Sequence, residues 1–157
     1  MGITYYTDGS CSGNGKKNAT GGAAFICVKD NEIIGCWQEF YKENVTNNRM
    51  ELYAILAAIN HIHNNYKDDF FVPIIYSDSS YCVNTINNWM YSWKRNGWIK
   101  SDKKTPENLD IIKSIYNLKE KEGYKFILEK IKGHAGHKWN EMVDSMATGK
   151  LIMSKNN

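Results

Sequence analysis

Long apolar runs are missing from this 157-residue chain, as are internal repeats and low-complexity tracts. No stretch approaches the roughly 20 apolar residues of a membrane-spanning helix, so no membrane association is expected. Proline is scarce, with two residues, which excludes collagen-like and proline-rich linker sequences. Four cysteines, Cys11, Cys27, Cys36 and Cys82, include no closely spaced pair. A chain of this length buries a core without covalent staples, so the pattern predicts reduced thiols in a cytoplasmic protein. The histidine pairs His61/His63 and His134/His137 lack the neighbouring thiols of a structural zinc site. The strand pattern begins at Ile3, which leaves no room for a signal peptide. A net charge of +3 is too small to mark a polyanion binder by itself.

The distribution of charge says more than its sum. Between Lys94 and Lys104 five bases face one acid, a local net of +4, and the rest of the chain is therefore slightly acidic. Such concentration is a footprint for a polyanion, although a solvated lysine-rich loop reads the same way. The pattern predicts one domain over residues 1–153 with a loose tail at 154–157. Strands are expected over 3–8, ending in a turn at Asp8-Gly9, over 21–29 and 32–41 joined by an Asp30-Asn31 hairpin turn, over 70–77, and over 124–131. Helices are expected over 46–64, 79–94, 107–121 and 140–149. Pro73 falls inside the fourth strand and argues for a bulge or an edge there. This order implies an α/β fold: a five-stranded mixed sheet, three antiparallel strands plus two parallel, with helices on both faces.

Two strands carry the same ending, Thr7-Asp8-Gly9-Ser10 and Ser77-Asp78-Ser79-Ser80. Ligands collect where sheet strands give way to loops, so the two Asp could face one cleft; each could equally start a turn by bonding the backbone. Glu51 is the only acid between Thr46 and Tyr66 and sits among Met50, Leu52 and Tyr53, where a lone carboxylate needs a partner. Asp144 lies early in the last helix. Acids at helix starts also have a plainer reading, a favourable place in the helix dipole. If the four converge, their repulsion calls for cations, and hard oxygen ligands select Mg²⁺ or Mn²⁺. A pair of such ions suits in-line hydrolysis of a phosphodiester.

These residues resemble a known family, the type 1 ribonucleases H, in its bacterial form with a basic protrusion. The resemblance runs through TDGSCSGN (Thr7 to Asn14), TNNRMEL (Thr46 to Leu52), SDSSY (Ser77 to Tyr81), WKRNGWIKSDKK (Trp93 to Lys104) and KGHAGHKWNEMVD (Lys132 to Asp144). It implies a ribonuclease H-like fold and an endonuclease that hydrolyses the RNA strand of RNA–DNA hybrids with two Mg²⁺ ions, for which Mn²⁺ can substitute. It implies that Asp8, Glu51, Asp78 and Asp144 are catalytic metal ligands, Asp144 the most loosely held. It also implies that His134, otherwise an ordinary loop histidine, moves a proton or helps product leave, and that Glu141 assists there.

The same resemblance implies substrate contacts. Cys11, Asn14, Asn47 and Asn48 would touch the minor groove, where RNA 2′-hydroxyls are exposed. Thr46 and Asn108 would lie near the DNA backbone. Trp89, Trp93, Lys94, Arg95 and Trp98 would hold the DNA strand, although Trp89 and Trp93 at i, i+4 also read as helix core. Ser80 and Asn96 depart from the bacterial pattern, which commonly has Gln and a base there. The partner is then an RNA–DNA hybrid and the protein a monomer. Two alternatives share parts of this pattern: a hybrid-binding module without catalysis, and another acidic-cluster nuclease such as an integrase or junction resolvase. Because the basic segment acts through screened phosphate contacts, cleavage should slow steeply between 50 and about 200 mM salt; a rate indifferent to salt in that window would remove the basic segment from the substrate interface.

Overall fold

The computed structural model of the chain describes residues 2–13, 16–131 and 137–153. Its strands are β1 (Thr4–Ser12), β2 (Thr20–Lys29), β3 (Glu32–Tyr41), β4 (Ile74–Ser77) and β5 (Ile127–Lys130). The α-helices are α1 (Asn47–Tyr66), α2 (Ser80–Asn84), α3 (Met90–Arg95), α4 (Leu109–Tyr116) and α5 (Lys138–Ala147). A wide π-helical turn, Thr85–Trp89, joins α2 to α3, and a second, Asn117–Lys121, extends α4.

The strands form one sheet in the order β3-β2-β1-β4-β5. β1, β2 and β3 pair antiparallel, while β4 runs parallel to both β1 and β5. Asp30 and Asn31, both at positive φ (52° and 62°), make the tight turn between β2 and β3, as expected for residues that tolerate the left-handed region. Side chains alternate across the sheet. Tyr5, Phe25 and Cys27 pack on one face against Leu52, Ile55 and Ile59 of α1, in a core that takes in Ile86, Met90, Ile112 and Ile115. Ala24, Ile26 and Val28 face the other way, onto Val143, Met146 and Ala147 of α5. The expected mixed sheet with helices on both faces is therefore present, with α1 and α5 on opposite sides.

Two expected strands have other limits. β1 does not stop at Asp8-Gly9 but continues to Ser12, because Gly9, Ser10, Cys11 and Ser12 keep pairing with β2. β4 does not begin at Phe70 but at Ile74. Pro73 has no N–H for the ladder, so pairing starts after it, and Phe70, Phe71 and Val72 are exposed by 92%, 57% and 42%. The expected tail at 154–157 lies outside the described residues.

Gly9 brings α1 onto the sheet. A Cβ at this position would run into the backbone nitrogen of Glu51 and the carbonyl carbon of Met50, so only glycine lets the helix approach this closely. Gly9→Ala should therefore destabilise the protein by about 2–3 kcal/mol, read as a lower urea midpoint. Phe71→Ser, at an exposed position, should stay within about 0.5 kcal/mol of the wild type; equal midpoints for both variants would contradict this packing.

Candidate active site

Four elements far apart in the chain bring one carboxylate each to the same end of the sheet. The parallel pairing of β1 with β4 ends at Tyr6, and Asp8 lies two residues further along β1. Asp78 follows Ser77, the last residue of β4. The turn around it is built by its neighbours: Ser77 Oγ accepts from the Ser79 N–H (3.1 Å), and Ser79 Oγ caps α2 by accepting from the Cys82 N–H (3.1 Å). Glu51 sits in the second turn of α1, whose N-cap Thr46 accepts from the Arg49 N–H (3.1 Å). Asp144 lies within α5.

Oxygens of Asp8, Glu51 and Asp78 all fall within 4.8 Å of one another. Asp8 and Glu51 are buried, at 5% and 9% exposure, whereas Asp78 is exposed. Burial, the Asp78 charge and the hydrogen bond that the protonated Asp8 carboxyl donates to Asp144 push Asp8 up to about 8, against the pull of the Gly9 N–H. That N–H donates to Asp8 Oδ1 at 2.9 Å. Burial and the charges of Asp8 and Asp78 raise Glu51 in the same way. Asp144 stands outside the three-way cluster but touches it through Asp8.

The donor set fits a hard divalent cation. It offers only oxygen, its charges repel, and Glu51 Oε1 is buried with no hydrogen-bond partner among the described residues. A buried carboxylate oxygen left without a partner is costly, and an oxygen-seeking cation removes that cost together with the repulsion. Zinc prefers nitrogen and sulfur ligands, and none joins the cluster among the described residues.

Other expected site residues are distributed around this centre. Cys11, half-buried on β1, donates from Sγ to the Val45 carbonyl (3.7 Å). Asn47 and Asn48 open α1, with Asn47 exposed and Asn48 partly so. Trp89 is 43% exposed, its ring centroid 6.3 Å from that of the half-buried Trp93. With Tyr81, Lys100 and Glu107 they line a cavity of about 230 Å³. Lys94 and Arg95 end α3, exposed at a helix C-terminus that favours cations. Trp98 is placed differently from its neighbours: its ring packs edge-on to Tyr116 at 5.5 Å under the Lys113 ammonium, so it anchors the segment. Asn108 precedes α4 in the left-handed region (φ 59°). Asn14 and His134 lie outside the described residues.

Arg49 was not anticipated. Its guanidinium, with the side chain 9% exposed, forms a two-pronged pair with Asp110 (2.6 and 3.0 Å) and lies over the Tyr53 ring (5.2 Å). The Asp110 bond holds Arg49 above its ordinary value, and Arg49 holds Asp110 below its own. A sequence signal existed, because a cation in the first turn opposes the helix dipole and α1 has no acid there.

A family model described as RNase H matches residues 1–151. The chain is 36% identical over 152 residues to a ribonuclease H of Thermoanaerobacter sp. (strain X514), covering 95% of this chain and 89% of that protein. Among solved structures it is similar to LC9-RNase H1, a type 1 RNase H with the type 2 active-site motif, at 27% identity and a TM-score of 0.72, covering 94% and 70% of the two chains. It shares its fold with LC11-RNase H1, solved in complex with an RNA/DNA hybrid, at 17% identity and a TM-score of 0.67, covering 94% of each.

The raised carboxyl of Asp8 makes metal-free stability depend on pH. The folded protein holds this proton more tightly than the unfolded chain does, so the contribution is complete below the unfolded value near 4 and is lost as pH rises through about 8. In a chelator at pH 8, Asp8→Asn should melt above the wild type; at pH 4 the gap should close. Mg²⁺ at pH 8 should also close it by stabilising the wild type. A wild type that melts with Asp8→Asn at every pH in chelator would show that the carboxylates do not repel.

Proposed function

The chain belongs to the RNase H family and hydrolyses the RNA strand of RNA–DNA hybrids, and on that premise we propose that it does so as an endonuclease leaving 5′-phosphate and 3′-hydroxyl ends. The observation that carries this reading is the convergence of Asp8, Glu51 and Asp78, with Asp144 bonded to Asp8. Asp8, Glu51 and Asp78 would hold one Mg²⁺, and Asp8 with Asp144 the second; Mn²⁺ satisfies the same oxygen set. When bound, such a pair supplies the Lewis acidity that activates water and stabilises the leaving oxygen of an in-line displacement.

The chain's own groups do the remaining work. Asp8 and Glu51, buried and mutually repelling, give up their protons only in exchange for other positive charge, so metal loading and deprotonation are linked. Cys11, Asn47 and Asn48, together with Asn14 from outside the described residues, read 2′-hydroxyls, which only the RNA strand carries. Thr46 and Asn108 bond the DNA backbone; Trp89 and Trp93 lie against its sugars while Lys94 and Arg95 hold its phosphates. Trp98 supports that segment from below. His134 carries a proton to or from the reacting phosphate and eases product departure, and Glu141 assists it. Residues 1–153 act as one domain, followed by the tail at 154–157, in a monomer; thiols that are not paired in disulfides support a cytoplasmic location.

Incubation of labelled hybrid, duplex DNA and single-stranded RNA with Mg²⁺ tests this directly. Only the RNA of the hybrid should be cut, and Asp8→Asn should lose at least about a thousandfold in turnover while binding hybrid as well as the wild type or better, since a carboxylate facing phosphates is removed. Equal cleavage of all three substrates, or of none, would sink the proposal.

A further inference from the structure

The Arg49 guanidinium does more than join two helices. It has four terminal N–H groups, and the structure gives each a partner. Nη2 donates to Asp110 Oδ2 (2.6 Å) and to the Tyr53 hydroxyl (3.0 Å). Nη1 donates to Asp110 Oδ1 (3.0 Å) and to Asn108 Oδ1 (3.4 Å). Tyr53, four residues along α1, is itself stacked on Tyr41 (5.0 Å), so the fork has a fixed base. Asn108 makes no capping bond with its side chain; its carboxamide takes its direction from Arg49 at the oxygen and from the Tyr81 hydroxyl, to which its amino group donates.

We propose that Arg49 is a positioning residue that fixes the Asn108 carboxamide with its amino end outward, toward the DNA-strand phosphate, at a set distance from the carboxylates of the same helix. The chemistry leaves one orientation. A guanidinium only donates, so it selects the carbonyl oxygen of Asn108 and leaves the NH₂ as donor; one of its hydrogens goes to the Tyr81 hydroxyl and the other is left for an acceptor beyond. A phosphate only accepts, and bonds the NH₂ alone. With Arg49 two residues from Glu51, the phosphate contact of the DNA strand is held rigidly relative to the site that cuts the opposite strand. Lysine at this position has three donors on a single nitrogen and cannot serve Asp110, Tyr53 and Asn108 together. The inference rests on the functional reading above and adds a residue to it.

Steady-state cleavage of labelled hybrid by the wild type, Arg49→Lys, Asn108→Ala and the double variant tests it. Each single variant should raise KM about fivefold with kcat within about twofold, and the double variant should be no worse than Asn108→Ala alone, because Arg49 acts through Asn108. Asp110→Asn, whose side chain is 65% exposed, should raise KM in the same direction and also lose its effect in the Asn108→Ala background. That second cycle decides the matter if Arg49→Lys does not fold. Multiplying KM effects in the double variants overturn the inference, as do lowered melting temperatures with unchanged KM, which mark a purely structural ion pair. A wild type that leaves hybrid intact overturns the functional reading and this inference with it.

Discussion

Negative charge packed against negative charge is the constraint around which the rest of this chain is organised. Two carboxylates within 4.8 Å repel by about 3–4 kcal/mol even at an effective dielectric constant of 20, and here three meet. That is a sizeable part of the net stability of an ordinary domain. The arrangement survives because the carboxylates are carried on rigid, buried backbone. Tyr5 on β1 and Leu52, Ile55 and Ile59 on α1 are almost wholly buried in one core, so neither Asp8 nor Glu51 can retreat from the other without opening it.

The two faces of the sheet divide the labour. On the α1 side, the close approach at Gly9 and the fork at Arg49 fix Glu51 relative to Asp8 and to α4. On the α5 side, a smaller core of Ala24, Ile26 and Val143 seats the helix that carries Asp144. Gln38 ties that region down, donating from Nε2 to the carbonyls of Met146 (3.2 Å) and Leu151 (3.0 Å) and accepting the Met153 N–H (2.7 Å). The site thus lies where two independently packed layers meet, with Asp8 on the strand common to both.

Much of this was readable in the residues. The second and third strands were marked by the Asp30-Asn31 turn between two runs of strand length, because that signal is local. Asp8 and Asp78 stood out at two strand ends of the same form, Glu51 as a lone carboxylate among apolar neighbours, and Asp144 by its place early in the last helix. The limits of β1 and β4 were misread for opposite reasons. Gly9 looked like a turn residue but is there for a close helix, a tertiary demand with no local signature. Phe70 and Phe71 looked like strand, but the missing N–H of Pro73 outweighs their propensity. Arg49 escaped because its partners Asp110 and Asn108 lie some sixty residues away, and only the fold brings them together.

The π-helical turn at Thr85–Trp89 has a consequence of its own. It inserts one residue into what would be a continuous helix, so Ile86 and Met90 stay wholly in the core while Trp89 reaches solvent. A π-helical turn takes up one extra residue without changing the direction of the helix on either side, so loss of one codon here would leave Lys94 and Arg95 at the end of α3 pointing where they do now. Only the widened turn would tighten, and Trp89 is its last residue. The irregularity therefore sets the exposure of one ring independently of the helix that follows it.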